Sequence, residues 1–478
     1  MTTNKRLSID VLQAIPDVDT YKVDELLKVS LENLNKKVIV LDDDPTGVQT
    51  VHDISVFTDW SVNSIEKGFK EDQSMFFILT NSRGFTAEET EKVHREIATN
   101  IVTVASKLNR EFMIISRGDS TLRGHYPLET KVLKETIESE SSMTFDGEVI
   151  LPFFKEGGRL TINNVHYVQS DKELIPAGET EFAKDRTFGY MKSHLGEWIE
   201  EKSDGEYTAE NTQYFSLEQL RSLEIEKMTE QLLKVNHFNK VVVNAIDEID
   251  VKIFTIILVN AMQAGKNYLF RSAAALPKVV GGVSDKALLT RDELMKDNNG
   301  NGGLIIIGSH VKKTTEQLEE LKKLSEIAFI EFNSHLVLQP DEFKLECDRV
   351  IETTESLIRS GKTVAVYTSR TRLDLGEGKQ EEELKLSIKI SDAVTSIVTR
   401  LKTRPNFLVA KGGITSSDVG TKGLQVKRAT VAGQIRPGIP VWLTGDESKY
   451  PGMAYIIFPG NVGTKTDLRT VVETLIEK

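Results

Sequence analysis

Cysteine is almost absent from this sequence: Cys347 is the only one. No intramolecular disulfide can form, and a cysteine-based zinc or iron–sulfur centre lacks its ligands. Cys347 sits in an amphipathic run and reads as a plain buried thiol. Proline is scarce, with 12 residues, and low-complexity runs, repeats and coiled-coil heptads are missing. Apolar residues make up 39% and charged residues 28%, which excludes a wholly disordered or fibrous chain. Long hydrophobic runs are missing too. The most apolar stretch, Ile253 to Met262, falls far short of the roughly 20 residues of a membrane span. Met1 to Pro16 has no basic segment followed by an apolar one. The expectation is a soluble, cytoplasmic protein without a membrane partner. Positive charge is in deficit, with 60 Lys and Arg against 72 Asp and Glu and a net charge of −12. That balance weighs against nucleic acid as a partner and leaves room for a local basic pocket holding a small anion.

Several signatures are also lacking. There is no G-x-x-x-x-G-K-[ST], no G-x-G-x-x-G, no H-E-x-x-H and no G-x-S-x-G. A P-loop protein, a dinucleotide dehydrogenase, a zincin and an α/β-hydrolase are disfavoured accordingly.

What the sequence does contain is alternation. Short β-branched runs at Val38–Leu41, Met75–Thr80, Phe112–Ser116, Glu148–Leu151, Val241–Asn244 and Tyr268–Arg271 read as strands. A helix is expected over Ala87–Leu108. This pattern predicts βαβ units and a mostly parallel sheet. The polar stretch Thr290–Gly303, rich in Asn and Gly, reads as a boundary. Alternation resumes beyond it: strands at Leu304–Gly308, Thr363–Thr368, Phe407–Ala410 and Tyr455–Phe458, helices at Thr314–Ile327, Glu342–Ser360 and Glu381–Leu401. The expected fold is α/β, with two domains, 1–285 and 304–478, joined by a linker at 286–303. Each domain would hold a mostly parallel sheet flanked by helices, with the active site in the interdomain cleft. Lys155–Glu210 has little periodicity and receives no assignment.

In open parallel sheets ligands gather outside the carboxyl ends of the strands. Three exits in the first half share one chemistry: Asp42-Asp43-Asp44-Pro45-Thr46-Gly47, Asn81-Ser82-Arg83-Gly84, and Arg117-Gly118-Asp119-Ser120-Thr121-Leu122-Arg123-Gly124-His125. Carboxylates and hydroxyls can bind sugar hydroxyls, and planar guanidinium groups suit a carboxylate or phosphate. Side by side they would make a pocket for a small polyhydroxy anion. In the second half the exits are Gly308-Ser309, Gly412-Gly413-Ile414-Thr415-Ser416-Ser417 and Gly460-Asn461-Val462-Gly463-Thr464. Small residues with exposed backbone N–H groups suit nucleotide phosphates. Glycine serving helix–sheet packing explains any one of these exits equally well.

Taken in order, these motifs resemble the four-carbon acid sugar kinases. Asp43-Asp44-Pro45-Thr46-Gly47 is similar to that family's D-D-x-T-G motif, and Asp119-Ser120-Thr121-Leu122-Arg123-Gly124 matches D-S-T-L-R-G in full. Asn81-Ser82-Arg83 resembles its second strand exit and Arg271-Ser272-Ala273-Ala274 its R-[ST]-A-A segment. Gly308-Ser309, Gly412-Gly413-Ile414-Thr415 and Gly460-Asn461-Val462-Gly463 follow in the family's order, so the likeness spans about residues 38 to 470. Two places depart from the common pattern. Many members have Leu before the Thr and Ala after the Gly of the first motif, and a Lys-containing segment where this chain has Ser116-Arg117-Gly118.

The resemblance implies ATP-dependent phosphorylation, with Mg²⁺, of a hydroxyl on a short sugar acid. Threonate, erythronate, 3-oxo-tetronate or a branched relative such as 3-oxo-isoapionate are the acceptors it suggests, usually at the terminal hydroxyl. It places the acid in the N-terminal domain and ATP in the C-terminal one. Arg83 and Arg123 would contact the carboxylate and hydroxyl oxygens of the acid. Asp43, Asp44, Asp119 and Ser120 would hold its hydroxyls, with Asp119, or else Asp43, as the catalytic carboxylate. Ser309, Gly412, Gly413, Ile414, Thr415, Gly460 and Asn461 would cradle ATP. No residue is assigned as a protein ligand of the metal. The alternative is a non-catalytic sensor that binds the acid or the nucleotide. Self-association is left open by composition.

Overall fold

The computed structural model describes residues 5–476 except 297, 372, 374, 375, 377 and 378. Residues 1–4 of the amino-terminal segment and Asp297 of the expected linker therefore lie outside the described residues. The chain divides into two compact units, residues 1–47 with 59–284, and residues 48–58 with 285–478.

The first unit is built on a parallel sheet. Its strand order is Gln213–Phe215, Asn239–Val243, Gly147–Leu151, Tyr268–Ser272, Phe112–Arg117, Lys37–Asp42 and Met75–Leu79. Lys37–Asp42 and Met75–Leu79 are buried along their whole length, which is why they read as continuous apolar runs rather than alternating ones. The helix Ala87–Leu108 begins at a capping box between Thr86 and Glu89 and ends at Asn109, in the left-handed region at φ 50°. Its buried face carries Ile97, Ala98, Ile101 and Ala105. The helix Leu128–Glu140 follows Pro127 and carries the buried Glu129 in its first turn.

The unassigned stretch Lys155–Glu210 is structured. Arg159–Ile162, Val165–Ser170 and Glu173–Pro176 form an antiparallel sheet that Leu7–Ser8 completes. Asn163 and Asn164 make the tight turn of the first hairpin, with φ 49° and 66°. Two consecutive positive-φ residues are what a two-residue hairpin turn needs, and paired asparagines are the signal for it. Trp198, Leu195 and Ile199, on the short helix Leu195–Lys202, bury against Leu122, Tyr126 and Tyr190. That packing ties this segment to the D-S-T-L-R-G loop.

In the second unit a parallel set, Ala328–Phe332, Val364–Thr368, Leu304–Ile307 and Leu408–Lys411, continues in parallel into Ala454–Phe458. From there the sheet turns antiparallel through Ile439–Thr444, Arg428–Arg436 and Ile54–Phe57. Sequence periodicity had marked neither this meander nor the return of Ile54–Phe57, a contribution from far upstream. Leu289, Leu294 and Met295 of the Asn/Gly-rich boundary are buried in this unit's core, and Arg291–Leu294 forms one helical turn. The helix expected over Thr314–Ile327 runs instead over Lys312–Leu321. Leu324 and Ile327 stay buried beyond its end, so the apolar spacing outlasts the helix. Cys347 is half-buried rather than enclosed. Among the described residues no helix is long and apolar enough to cross a membrane.

Candidate functional site

Phe112–Arg117, Lys37–Asp42 and Met75–Leu79 are neighbours in parallel register. Their carboxyl ends therefore bring the Asp119, Asp43 and Arg83 motifs to one edge of the sheet. Tyr268–Ser272 flanks Phe112–Arg117 on the other side and adds Arg271.

Arg83 grips Asp43 with two N–H groups, Nη2 to Oδ1 at 2.6 Å and Nε to Oδ2 at 3.2 Å, and reaches Asp44 Oδ2 at 3.3 Å. Asp44 Oδ1 also accepts from the backbone N–H and hydroxyl of Thr46, at 2.9 and 2.6 Å. Burial opposes ionisation of Asp44, but Arg83 and Thr46 hold its carboxyl below the usual range. Burial raises Asp43, with Arg83 and then Arg271 pulling the other way. Asp42 lies deepest. Burial pushes its carboxyl up to about 8 against the pull of Arg117, whose Nη1 stands 3.4 Å from Oδ1. Gly47 is required here, because a Cβ at that position would collide with the Asp42 carboxylate.

Asp119 accepts from Arg123 Nε at 2.7 Å and from the Thr121 hydroxyl. Burial works to raise its carboxyl, but Arg123 and then Arg83 outweigh it and hold Asp119 far below the usual range. The pull of Arg83 on Asp119 shows that the two motif groups share one site. The backbone carbonyl of Ser120 accepts from His166 Nε2 at 2.8 Å, while His166 Nδ1 pairs with the Thr161 hydroxyl at 3.0 Å. Burial pushes His166 down to about 4, so this brace on the loop is neutral. The structure thus gathers Asp43, Asp44, Arg83, Asp119, Ser120 and Arg123. It also shows that the guanidinium groups of Arg83 and Arg123 are already engaged by aspartates.

Arg271 was legible only as part of a motif, without a role. Its Nη2 donates to the carbonyl of Arg123 at 2.7 Å and its Nη1 stands 3.3 Å from Glu129 Oε2. Glu129 in turn accepts from Ser82 Oγ at 2.6 Å. Gly118 and Gly124 leave the space this guanidinium fills; a Cβ on Gly118 would overlap it. Arg159, Phe182 and Tyr190 come from the segment that sequence periodicity left blank. Tyr190 donates to the Thr121 carbonyl at 2.6 Å, and Arg123 lies over the Phe182 ring at 5.1 Å.

In the second unit Leu304–Ile307, Leu408–Lys411 and Ala454–Phe458 are adjacent, so the three Gly/Ser/Thr exits meet. Gly412 has φ 119°, and a Cβ there would stand 3.0 Å from Ser309 Cβ. A Cβ on Gly460 would be 3.6 Å from Ser309 Oγ. A cavity of about 320 Å³ is lined by Ser309, Gly412, Gly413, Ile414 and Thr415. Its other wall includes Ile390 and Val394, from the helix Gln380–Arg400. The volume is in the range of small-ligand sites. Sequence reading missed this helix wall, whose apolar residues look like an ordinary core stripe. Gly460 and Asn461 do not line the cavity. Their loop is held by Lys411 Nζ, which donates to the carbonyls of Pro459 and Gly460, and by Lys313 Nζ, 3.3 Å from the Asn461 carbonyl. Burial pushes the Lys411 amine down to about 6. Among the described residues no group of three or more His, Cys, Asp or Glu could hold a metal ion.

Comparison with known proteins agrees with this division of chemistry. Residues 38–280 match the family model described as a sugar-binding N-terminal domain, and residues 304–468 match a nucleotide-binding C-terminal domain. Haemophilus influenzae protein HI1011, a DUF1537 protein, has a similar structure, with TM-score 0.59 and 15% identity over 92% of this chain and 100% of that one. A Salmonella typhimurium LT2 protein with a provisional tRNA synthase name is similar at TM-score 0.66 and 15% identity, over 91% of this chain and 98% of its own. At that identity both show the fold alone. No curated protein matches.

Two predictions follow from the electrostatics. Arg271→Met leaves Glu129 buried without its partner and should destabilise the chain by about 3–5 kcal/mol, read from urea denaturation. A wild-type midpoint in that variant would refute the role of the pair. Asp42 titrates near 4 when unfolded and near 8 when folded. Below pH 4 both states hold the proton. Between the two values unfolding releases it, so stability falls as pH rises, by at most about 1.4 kcal/mol per pH unit. Asp42→Asn should therefore lose less stability than wild type between pH 5 and 8. Parallel slopes would show that Asp42 is ionised in the folded state.

Proposed function

The chain belongs to the four-carbon acid sugar kinase family, the DUF1537 proteins, and from that premise we propose that it transfers the γ-phosphoryl group of ATP to a hydroxyl of a short sugar acid. The acceptors in view are threonate, erythronate, 3-oxo-tetronate and a branched relative such as 3-oxo-isoapionate, with the terminal hydroxyl as the nucleophile. The observation that carries the reading is chemical complementarity within one chain. One unit has an Asp/Arg strand-end site, and the other has a glycine-rich cradle opening into a cavity with an apolar wall.

Transfer breaks the bond from the γ-phosphorus to the β,γ-bridging oxygen and forms one to the acceptor oxygen, whose proton leaves. Such a transition state is loose, so positioning and charge matter more than strong basicity. Asp119, kept ionised by Arg123 and Arg83, is a poor proton acceptor and a good anchor, and it orients the acceptor hydroxyl. Asp43, raised by burial, is better suited to take the proton. Asp44 and Ser120 hold further hydroxyls, and Arg83 and Arg123 fix the aspartates while presenting their remaining N–H groups to oxygens. In the second unit Ser309, Gly412, Gly413 and Thr415 receive the phosphates, and Ile414, Ile390 and Val394 offer apolar surface to the base. The loop of Gly460 and Asn461, held by Lys411, stands beside Ser309 at the rim. The hydroxyl donors of Ser309 and Thr415 fit a hard cation that keeps its waters. Mg²⁺ on the phosphates supplies charge neutralisation when bound.

An ADP-release assay with Mg-ATP against four-carbon acids should give turnover with at least one acid and none in its absence. Binding of acid or nucleotide without turnover would identify a sensor instead. Asp119→Asn, which loosens the hold on the acceptor hydroxyl, should lower kcat about 10²-fold; an unchanged kcat would remove Asp119 from the reaction. Gly412→Ala forces a side chain into a left-handed backbone against Ser309. It should raise KM for ATP and leave KM for the acid alone. A raised KM for the acid instead would reverse the assignment of the two units.

A further inference from the structure

Arginine side chains crowd the acid site, and most already have anionic partners. Arg83 is paired with Asp43 and Asp44, Arg123 with Asp119 and Asp185, and Arg271 with Glu129, while Arg117 stands against the deeply buried Asp42. Arg159 differs. Among the described residues its guanidinium has no ion pair, and its Nε is enclosed without a hydrogen-bond partner. It opens the hairpin strand Arg159–Ile162, and the backbone of that position is fixed by a reciprocal bridge to Phe154, at 3.1 and 2.9 Å. The strand is clamped further by Thr161, which pairs with Ala245 through the backbone.

The side chain leads back to the D-S-T-L-R-G loop. Arg159 lies over the Phe182 ring at 5.6 Å, the same ring that carries Arg123 at 5.1 Å. Asp119 attracts it and Arg123 repels it, while burial disfavours its charge. A partly buried guanidinium with an unmet donor, beside a second guanidinium, is costly unless an anion arrives. The platform under it is aromatic, which keeps the planar fork in place without using its N–H groups.

We propose that Arg159 is the anchor for the carboxylate of the substrate acid, held on Phe182 so that the hydroxyl end of the same molecule reaches Asp119 and Asp43. The inference rests on the sugar-acid kinase reading and makes it more specific. Arg83 and Arg123 then organise the aspartates, and Arg159, whose guanidinium has no ion pair among the described residues, selects acids over neutral polyols. It also gives the hairpin segment a purpose: it carries the selectivity for charge, while the strand ends carry the hydroxyl chemistry.

The test uses the full chain, wild type and the variants Arg159→Gln and Arg159→Lys, each checked for a wild-type melting temperature. Threonate and erythronate serve as the acids, and threitol and erythritol as their neutral counterparts. Binding is followed by calorimetry and turnover by ADP release. Arg159→Gln should weaken acid binding and raise its KM by about 10²-fold or more, the cost of truncating one side of an enclosed charge pair. KM for ATP should stay within twofold, and the preference for acid over polyol should vanish. Arg159→Lys should keep the preference and recover part of the affinity. Wild-type turnover with an unchanged KM for the acid in Arg159→Gln would overturn the proposal and leave the kinase reading standing. Acid binding that depends on Arg159, without turnover in the wild type, would do the reverse. Failure of the wild-type chain to bind threonate, erythronate, 3-oxo-tetronate or 3-oxo-isoapionate at millimolar concentration would overturn both. Should Arg159→Gln not fold, the same comparison on Arg159→Lys against Phe182→Leu decides the matter: loss of acid preference in Phe182→Leu supports the anchor, and a wild-type preference in both overturns it.

Discussion

The strand-end Asp/Arg site depends on one buried ion pair. Arg271 leaves the end of its strand and fills the volume that Gly118 and Gly124 lack side chains to occupy. There it meets Glu129 and the Arg123 carbonyl. Through that guanidinium the Asp119 loop, the helix carrying Glu129 and the Ser82 exit are held in one arrangement. A buried pair of this kind adds little net stability over an apolar substitute, but losing one partner is costly. Its contribution is therefore to geometry: the loop has one place to be. Any side chain at Gly118 would displace the guanidinium, so the glycine and the arginine act as a single unit.

Around that pair the carboxylates are pushed in different directions. Asp42 is raised to about 8 and Asp43 is raised as well, while Asp44 and Asp119 are lowered. Three consecutive acidic residues would repel one another if all were ionised. Depth and arginine placement relieve this by keeping the innermost neutral and holding the other two on Arg83. The same principle gives chemically identical groups different affinities for a proton. The nucleotide-binding unit uses the opposite approach. Its cavity is lined by glycines, hydroxyls and apolar surface, and its conspicuous amine, Lys411, braces a loop from within.

Much of this was legible in advance. The buried strands announced themselves as uninterrupted apolar runs, because parallel strands covered on both faces have no polar side to alternate with. The strand-end motifs were legible because the carboxyl edge of such a sheet is where polar residues can serve a ligand. Less legible were the Lys155–Glu210 segment and the antiparallel strands Arg428–Arg436 and Ile439–Thr444. Their strands are short, and pairing between distant segments leaves no local period. Asn163 and Asn164 were the one usable sign, since a two-residue turn demands positive φ from both. The helix end at Leu321 was misplaced for a related reason: Leu324 and Ile327 are buried whether or not the chain is helical.

The sequence by itself determined the class of fold, the order of the strand-end motifs and the two kinds of chemistry they carry. All of these are local: a strand, a turn and the polar residues just after it. Tertiary structure alone decided which arginine meets which carboxylate. Arg83 and Arg123 looked free in the sequence and are bound to aspartates. Arg271 looked like a motif remnant and is the centre of the site. Arg159 lay in a stretch without periodicity, and among the described residues its guanidinium has no ion pair. Charge pairing over a few ångströms is set by where the backbone returns, and residues 40 or 148 positions apart carry no sequence mark of meeting.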